Sequence, residues 1–224
     1  GYDSQCMALD LLKEQFPPFD YELVAWSEID KYAIQAHNAV YPQWADRNLG
    51  DMTKIDWIQV GECDLLTYST PCQDVSQAGK QRGIEKGSDT RSAILWHTER
   101  AIKELHPKYL LMENVKALVS QKFLPFYKKW EQYLADMGYD NYGMVMNAKD
   151  YGVPQNRERI FLVSILGDHD GFRFPSPIPL EKRLKDVLEP EVDDKYVLSD
   201  QAIEGFLKHN ENHAKDSFTP EPDA

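Results

Sequence analysis

Hydrophobic residues recur along this chain in two alternating patterns, one with helical spacing and one of short apolar runs. The first pattern predicts helices over residues 4–15, 31–40, 91–105 and 124–137. The second predicts strands over residues 21–26, 64–68, 109–112, 142–146 and 160–165. Because strands and helices alternate over roughly three quarters of the chain, we expect an α/β fold with a doubly wound, mostly parallel sheet.

The pattern changes after residue 168. Pro175, Pro177 and Pro179 predict an extended linker, and a short amphipathic segment follows over residues 180–188. The end of the chain, residues 209–224, is polar and acidic, which is typical of a loop or a disordered tail. We therefore expect a main domain over residues 1–168 and an appended region over residues 169–224.

Composition narrows the class of protein. Hydrophobic residues make up 42% of the 224 and charged residues 28%, which is typical of a globular domain. No apolar run approaches the roughly 18 residues that a membrane-spanning helix needs. Three scattered cysteines are too few for a disulfide framework or a zinc site, so the sequence predicts a cytoplasmic protein without a metal.

The net charge of −12 weakens a nucleic-acid-binding hypothesis. The acidic excess is concentrated near the end, because residues 169–224 carry seven Lys and Arg against thirteen Asp and Glu. A binding groove needs only a local cluster of basic groups. Nucleic acid therefore stays open as a partner.

Candidate chemistry begins at Cys72, which follows the predicted strand over residues 64–68. A lone cysteine is usually a small buried hydrophobe. This one stands between Pro71 and Gln73 just after a strand end, where α/β sheets place ligands and where a thiol can become a reactive thiolate. The position favours a nucleophile.

Glu113 follows another apolar strand in the same way, so a thiol and a carboxyl are expected at adjacent strand ends. A carboxyl at a desolvated strand end can act as a general acid, although a helix cap or a solvated Glu is an equally good interpretation of the residue alone. Asn114 beside it can orient the backbone or a substrate edge. Arg157 and Arg159 alternate into the last strand, where they can hold an anion jointly or form a charged strand edge.

Glu28 ends the predicted strand over residues 21–26, a position from which nucleotide-binding folds contact ribose hydroxyls. Ser27 and Asp30 indicate a helix cap at the same point, and the two interpretations are compatible. Asp51 falls at a later strand-end position, from which its carboxylate could contact an adenine amino group.

Three motifs occur together in order: Pro71-Cys72-Gln73, Glu113-Asn114-Val115 and Gln155-Asn156-Arg157-Glu158-Arg159. This set resembles the C5-cytosine-specific DNA methyltransferase family, of the bacterial and phage restriction-modification type, over residues 1–168. The resemblance implies a Rossmann-like S-adenosylmethionine-dependent methyltransferase fold, followed by the start of a target-recognition region. Of the family's opening strand and turn only Gly1 is present, and its late cofactor-site segment is not found. The sequence therefore predicts a chain truncated at both ends, whose activity alone is uncertain.

The resemblance implies DNA (cytosine-5-)-methyltransferase activity on a cytosine flipped out of double-stranded DNA. Methyl transfer from S-adenosylmethionine would leave S-adenosylhomocysteine as the product. The reaction would need no metal, and a monomer is favoured. Cys72 would add to C6 of the base, and the loop over residues 73–89 would close over it. The implied catalytic residues are Cys72, Glu113, Asn114, Arg157 and Arg159; the cofactor residues are Gly1, Tyr2, Ser4, Glu28, Ile29, Asp51, Met52, Pro71 and Ile94; and the DNA contacts are Gln73, Lys80, Arg82 and Gln155.

Three alternatives remain at the level of sequence. An RNA (tRNA) cytosine-5 methyltransferase would share the fold and the motifs. A catalytically silent fragment that binds only cofactor or DNA would carry the same residues. A cysteine hydrolase or a redox protein is a more distant alternative, because none of the six histidines stands in a recognisable partner motif.

Overall fold

The computed structural model of the chain describes residues 3–69 and 95–213. Over these ranges the chain forms five α-helices and four strands. In chain order, the helices are α1 Ser4–Gln15, α2 Lys31–Val40, α3 Leu95–Leu105, α4 Leu124–Asp136 and α5 Asp200–His213. The strands are β1 Leu65–Ser69, β2 Tyr109–Val115, β3 Tyr139–Asn147 and β4 Glu158–Leu166.

The four described strands form one sheet in the order β1-β2-β4-β3. β1 and β2 run parallel, whereas β4 is antiparallel to both of its neighbours. The α/β fold class is confirmed, but the described strands make a mixed sheet rather than a mostly parallel one. The reason is the connection from β3 to β4, which contains only the short 3-10 turn Ala148–Asp150 and is too short for the crossover that parallel strands require.

The predicted strand over residues 21–26 is wrong as a member of this sheet. Of this segment only Trp26 makes a β-bridge, to Asn48, and its N–H donates to the carbonyl of Arg47 at 3.1 Å. The Arg47 guanidinium donates to the carbonyl of Leu23. A side chain and a neighbouring loop thus take the hydrogen bonds that a sheet partner would otherwise make.

Aspartates set the starts of the first two helices. Asp3 accepts a hydrogen bond from the N–H of Cys6 at 3.2 Å at the start of α1. Asp30 accepts from the N–H groups of Tyr32 and Ala33, both at 2.9 Å, at the start of α2. A short carboxylate before the first helical residue satisfies backbone donors that have no partner within the helix, so both predicted helices begin where the sequence indicates.

The main core lies between α4 and the sheet. Trp130 and Leu134 of α4 pack in one cluster with Leu110, Met112 and Leu162, and each of these five side chains is at most 1% exposed. Burial alternates along β2, where Leu110, Met112 and Asn114 are buried. The odd-numbered residues of β2, Glu113 among them, therefore face the other side of the sheet.

The chain divides into two compact units, residues 1–181 and 182–224. The first unit extends past residue 168 because the N–H of Ile178 donates to the carbonyl of Asp150 at 2.9 Å, so part of the expected linker packs on this unit. A functional boundary at residue 168 stays a prediction. The second unit contains α5, which continues through His213, so the loop or disorder expected from residue 209 is wrong as far as that residue.

The helices of the structure were also compared with the requirements of a membrane span. Among the described residues, no helix combines the length and the apolar character that crossing a bilayer requires.

Candidate active site

Two of the predicted chemistry-bearing residues, Glu113 and Arg159, meet at one end of the sheet. The parallel strands β1 and β2 both end there, and the antiparallel strand β4 begins there. Ser69 is paired in register with Glu113, and Val115 is opposite Arg159. Side chains two residues apart on a strand share a face, so Ser69, Glu113 and Arg159 project to the same side.

Glu113 is held through both of its carboxylate oxygens. Its Oε1 lies 2.9 Å from Nε of Arg159, and its Oε2 accepts a hydrogen bond from the Ser69 hydroxyl at 3.3 Å. The Glu113 and Arg159 side chains are 29% and 22% exposed, so the ion pair is accessible to a ligand but is not loosely solvated. The structure therefore brings together two of the predicted catalytic residues and orients the carboxylate between two strands.

The other predicted catalytic residues on these strands are placed differently. Asn114 is 2% exposed, on the opposite face from Glu113, and its Oδ1 accepts from the N–H of Val115 at 2.8 Å. It orients the backbone, the first of its two expected roles, while contact with a substrate stays a prediction. Gln155 and Arg157 are exposed in the segment that directly precedes β4, close in the chain to Arg159 at the start of that strand.

Asn147, the last residue of β3, holds that segment in place. Its Oδ1 accepts from the N–H of Arg157 at 3.0 Å, and its Nδ2 donates to Oδ1 of Asn156 at 2.7 Å. Neither Asn147 nor Ser69 was predicted as a site residue. Each is a small polar residue at the end of an apolar strand. A polar residue at a strand end is also the pattern that indicated Glu113, so the same pattern would have indicated Asn147 and Ser69.

A cavity of about 890 Å³ opens beside Glu113. Its wall includes β1, the start of α1, the extended segment over residues 19–28 and part of α3. Trp26 in this wall stacks on His37, which also lines the cavity, with 3.7 Å between the ring centroids. The volume lies within the range of about 300–1,000 Å³ that is typical of ligand pockets. Of the predicted site residues that the structure describes, four line it, namely Ser4, Glu28, Met52 and Glu113.

Glu28 is fixed at the rim of this cavity. Its Oε1 accepts from the N–H groups of Ile29 and Asp30 at 2.9 and 3.0 Å, while Asn48 exchanges two hydrogen bonds with its backbone, both at 3.1 Å. The helix cap expected here is confirmed at Asp30, and a contact of Glu28 with ribose hydroxyls stays a prediction. The side chain of Ile29 is 74% exposed, so the residue contributes its backbone to this arrangement.

Asp51 forms a tight local turn rather than part of the cavity wall. Its Oδ1 accepts from the Thr53 hydroxyl at 2.8 Å and from the Thr53 N–H at 3.0 Å. These two donors hold the pKa of Asp51 below its usual value, so the group is ionised at neutral pH. A contact of Asp51 with an adenine amino group stays a prediction.

Several predicted site residues lie outside the described residues, and with them most of the expected nucleophile and DNA-contact region. They are Gly1, Tyr2, Pro71, Cys72, Gln73, Lys80, Arg82 and Ile94. In the two described ranges, His, Cys, Asp and Glu side chains form no group of three or more that could hold a metal ion.

Comparison with known proteins decides the family. A family model described as C-5 cytosine-specific DNA methylase matches residues 7–220, nearly the whole chain. The chain belongs to this family of C-5 cytosine-specific DNA methylases. Its curated relatives include the type II methyltransferase M2.ScrFI of Lactococcus lactis subsp. cremoris, which is 40% identical over 195 residues, covering 87% of this chain and 54% of the relative.

Relatives of this family come from other bacteria and from phage. The type II methyltransferase M.NlaX of Neisseria lactamica is 37% identical over 87% of this chain and 61% of its own length. The orphan methyltransferase M.SPRI of Bacillus phage SPR is 32% identical over 84% of this chain and 49% of its own length. The chain thus spans about half the length of the curated C-5 cytosine-specific methylases that it matches.

Solved structures agree on the fold. The Dnmt2 methyltransferase of S. pombe superposes with a TM-score of 0.70 at 18% identity, covering 93% of this chain and 63% of that one. The Entamoeba histolytica methyltransferase EhMeth superposes with a TM-score of 0.64 at 19% identity, covering 80% of this chain and 55% of that one. Methyltransferase structures therefore share the α/β architecture of this C-5 cytosine-specific methylase.

Proposed function

We propose that this chain carries the catalytic site of a DNA (cytosine-5-)-methyltransferase, which transfers a methyl group from S-adenosylmethionine to C5 of a flipped cytosine. The observation that carries the proposal is the Glu113–Arg159 pair, with 2.9 Å between Oε1 and Nε, at the strand edge from which the chain leads into Pro71 and Cys72. Membership of the C-5 cytosine-specific DNA methylase family supports DNA over RNA as the substrate.

The chemistry follows from the reactivity of the base. C5 of cytosine is a poor nucleophile until a nucleophile adds to C6. The Cys72 thiolate would form the S–C6 bond, while Glu113 in its protonated form gives its proton to N3, so that no negative charge accumulates on the ring. The remaining Glu113 carboxylate is stabilised by the Arg159 guanidinium that it already contacts. C5 then takes the methyl group. Water removes the C5 proton as the S–C6 bond breaks and Cys72 leaves as a thiolate, and N3 returns its proton to Glu113, which restores both the aromatic ring and the acid.

The residues around the cavity fit a sulfonium nucleoside cofactor. At the start of α1, Ser4 and Gln5 line the cavity, and the first-turn N–H groups of a helix suit a carboxylate. Glu28 lines the cavity and would bind ribose hydroxyls through its carboxylate, and Met52 adds an apolar surface for a base. When bound, S-adenosylmethionine supplies an electrophilic methyl group and leaves as S-adenosylhomocysteine, so the protein's part is to place C5 in line with that methyl.

We propose double-stranded DNA as the partner. Its target base must leave the helical stack to reach Cys72, because C6 lies inside the duplex. Gln155 and Arg157, both exposed beside Arg159, are suited to contact the DNA around the base, and Gln73, Lys80 and Arg82 would do so from the segment after Cys72. We propose action as a monomer in the cytoplasm of a bacterial or phage-infected cell, the sources of the curated relatives.

The deciding experiment is covalent trapping. The chain is incubated with S-adenosylmethionine and a site-diverse pool of DNA containing 5-fluorocytosine, whose fluorine blocks the final elimination. We expect a denaturation-resistant protein–DNA adduct that is absent in Cys72→Ser and forms at least tenfold more slowly in Glu113→Gln. Glu104→Gln on α3, whose carboxylate pairs with Arg100, is the matched control and should trap at the normal rate.

Other outcomes of the same experiment would contradict the proposal. Adduct formation with fluorinated RNA but not DNA would establish an RNA methyltransferase instead. Cofactor binding measured by calorimetry without any adduct would indicate a silent binding fragment. Full methylation by Cys72→Ser would refute the assigned nucleophile.

A further inference from the structure

Ser69 of β1 makes a hydrogen bond to the candidate acid, Glu113. It is the last residue of the strand, and parallel pairing sets it directly beside Glu113 on β2. Its hydroxyl lies 3.3 Å from Oε2 of Glu113. Neighbours in register on parallel strands project to the same face, so this contact is imposed by the sheet and does not depend on a flexible loop.

The two oxygens of Glu113 have partners of different chemistry. Oε1 faces Nε of Arg159, which is a donor and has no lone pair to accept a proton. Oε2 faces the Ser69 hydroxyl, which can donate or accept. A proton on Oε1 would point at the N–H of Arg159, whereas a proton on Oε2 is compatible with both neighbours. Oε2 is therefore the oxygen that can carry a transferable proton.

We propose that Ser69 is a positioning residue, which holds Oε2 of Glu113 as the proton-bearing oxygen that serves N3 of the cytosine; this role rests on the proposed function. Arg159 keeps Oε1 on the side of β4, and Ser69 keeps Oε2 on the side of β1. When the proton passes from Oε2 to N3, the Ser69 hydroxyl turns to donate to the new carboxylate. The distance of 3.3 Å between the Ser69 hydroxyl and Oε2 allows the hydrogen bond to shorten when substrate binds, as is common for catalytic hydrogen bonds in structures without ligand.

The charged and titratable groups around Glu113 are few in the described part of the chain. Arg159 approaches from β4, and the side chain that β1 presents is the uncharged Ser69. The Lys116–Glu158 pair, at 2.8 Å, joins Lys116, which follows β2, to Glu158, which neighbours Arg159 on β4 and therefore faces the other side of the sheet. Ser69 is thus the described neighbour whose removal changes the hydrogen bonding of Glu113 without changing any formal charge.

Three variants test the role in the full chain. Ser69→Ala removes the hydroxyl, Ser69→Thr keeps it, and Ser120→Ala is a matched control at an exposed serine outside the cavity. We expect kcat for methyl transfer to fall about tenfold in Ser69→Ala, the lower end for a hydrogen bond to a charged group, with KM for DNA and cofactor affinity within about twofold. Ser69→Thr should recover most of kcat, and Ser120→Ala should match the parent chain.

A second readout does not depend on activity. With ¹³C-labelled glutamate, the side-chain carboxyl resonance of Glu113 is assigned by its loss in Glu113→Gln. We expect this resonance to move in Ser69→Ala, to return toward its original position in Ser69→Thr and to stay in place in Ser120→Ala. Because the measurement needs neither cofactor nor DNA, it tests the contact even in a chain that does not methylate.

The outcomes separate the two proposals. Absence of any adduct in the parent chain would refute the proposed function, while the resonance would still decide whether Ser69 holds Glu113. An unchanged resonance and an unchanged kcat in Ser69→Ala would overturn the role of Ser69 while leaving the methyltransferase intact. Loss of cofactor affinity together with kcat, without recovery in Ser69→Thr, would mean that Ser69 only supports the fold, and would also overturn the proposal.

Discussion

A single methyl group added at Gly143 of β3 should destabilise the first unit measurably. A Cβ at this position would lie too close to Oη of Tyr127 and 3.5 Å from its Cζ. Tyr127 on α4 is 4% exposed in the main core, so its ring cannot move away freely. Ordinary contact begins near 3.4 Å, and overpacking of this kind typically costs about 1–3 kcal/mol. We expect Gly143→Ala to lower the free energy of unfolding by about 2 kcal/mol, which corresponds to about 4–8 °C in Tm.

The same distances specify how to remove the clash. Tyr127→Phe deletes Oη, after which the closest ring atom is Cζ at 3.5 Å, an ordinary contact. In that background Gly143→Ala should change the free energy of unfolding little, because only Oη of Tyr127 would clash with the added Cβ. Urea unfolding followed by tryptophan fluorescence gives the four free energies of the cycle. Tyr133→Phe, which removes another buried hydroxyl from the same helix, is the control background and should leave the penalty unchanged. An equal penalty in the Tyr127→Phe background would refute the reasoning.

Two further predictions concern titration and reactivity. Burial raises the pKa of Tyr139 to about 12. The contribution of Tyr139 to stability is therefore complete below about pH 10 and is lost as the pH rises from 10 to 12, by at most about 1.4 kcal/mol per pH unit. Urea unfolding across this range should show a smaller decrease in the free energy of unfolding in Tyr139→Phe than in the parent chain. Burial, and after it the charge of Asp3, raises the pKa of the Cys6 thiol to about 12. Peptide mapping after iodoacetamide treatment should therefore find Cys6 unlabelled in the folded chain and labelled in urea, while the half-buried Cys63 reacts earlier. Labelling of Cys6 as early as that of Cys63 would contradict its burial.

Local signals in the sequence were sufficient for most elements. Residues 31–40 were predicted as a helix with the bounds that α2 has, because Asp30 supplies a side-chain cap and Pro42 follows the end. The strand over residues 109–112 was also predicted, although β2 continues to Val115. Its extension past the apolar run depends on pairing with β4, which a local pattern does not contain.

Long-range pairing accounts for the errors. Residues 21–26 have the composition of a strand, but the Arg47 guanidinium takes the carbonyl of Leu23, and nothing in the segment itself indicates that contact. The alternation of helices and strands favours parallel pairing and does not indicate the antiparallel direction of β4, which follows from a connection before β4 that is too short for a crossover. α5 was not predicted, since no element was assigned between residues 188 and 209, although Ile203, Phe206 and Leu207 have helical spacing.

The candidate site was predictable in its residues but not in its contacts. Glu113 and Arg159 were singled out by their position at the ends of apolar strands, and the structure brings their side chains to 2.9 Å. That distance depends on β4 lying next to β2 although β3 precedes it in the chain. The role of Ser69 depends on the register of β1 against β2, which the hydrophobic pattern does not fix.

The position of β1 at the outside of the described sheet has a consequence for handling the protein. An outer strand presents backbone N–H and C=O groups away from its neighbour, and such an edge is a template for intermolecular strand pairing. Leu65 at the start of β1 is 36% exposed, and its carbonyl accepts the weak thiol donor of Cys63, at 3.2 Å. We expect self-association of this chain to rise with concentration and with salt, since salt screens the repulsion from a net charge of −12. Assays of the site are therefore best made on dilute protein at low ionic strength.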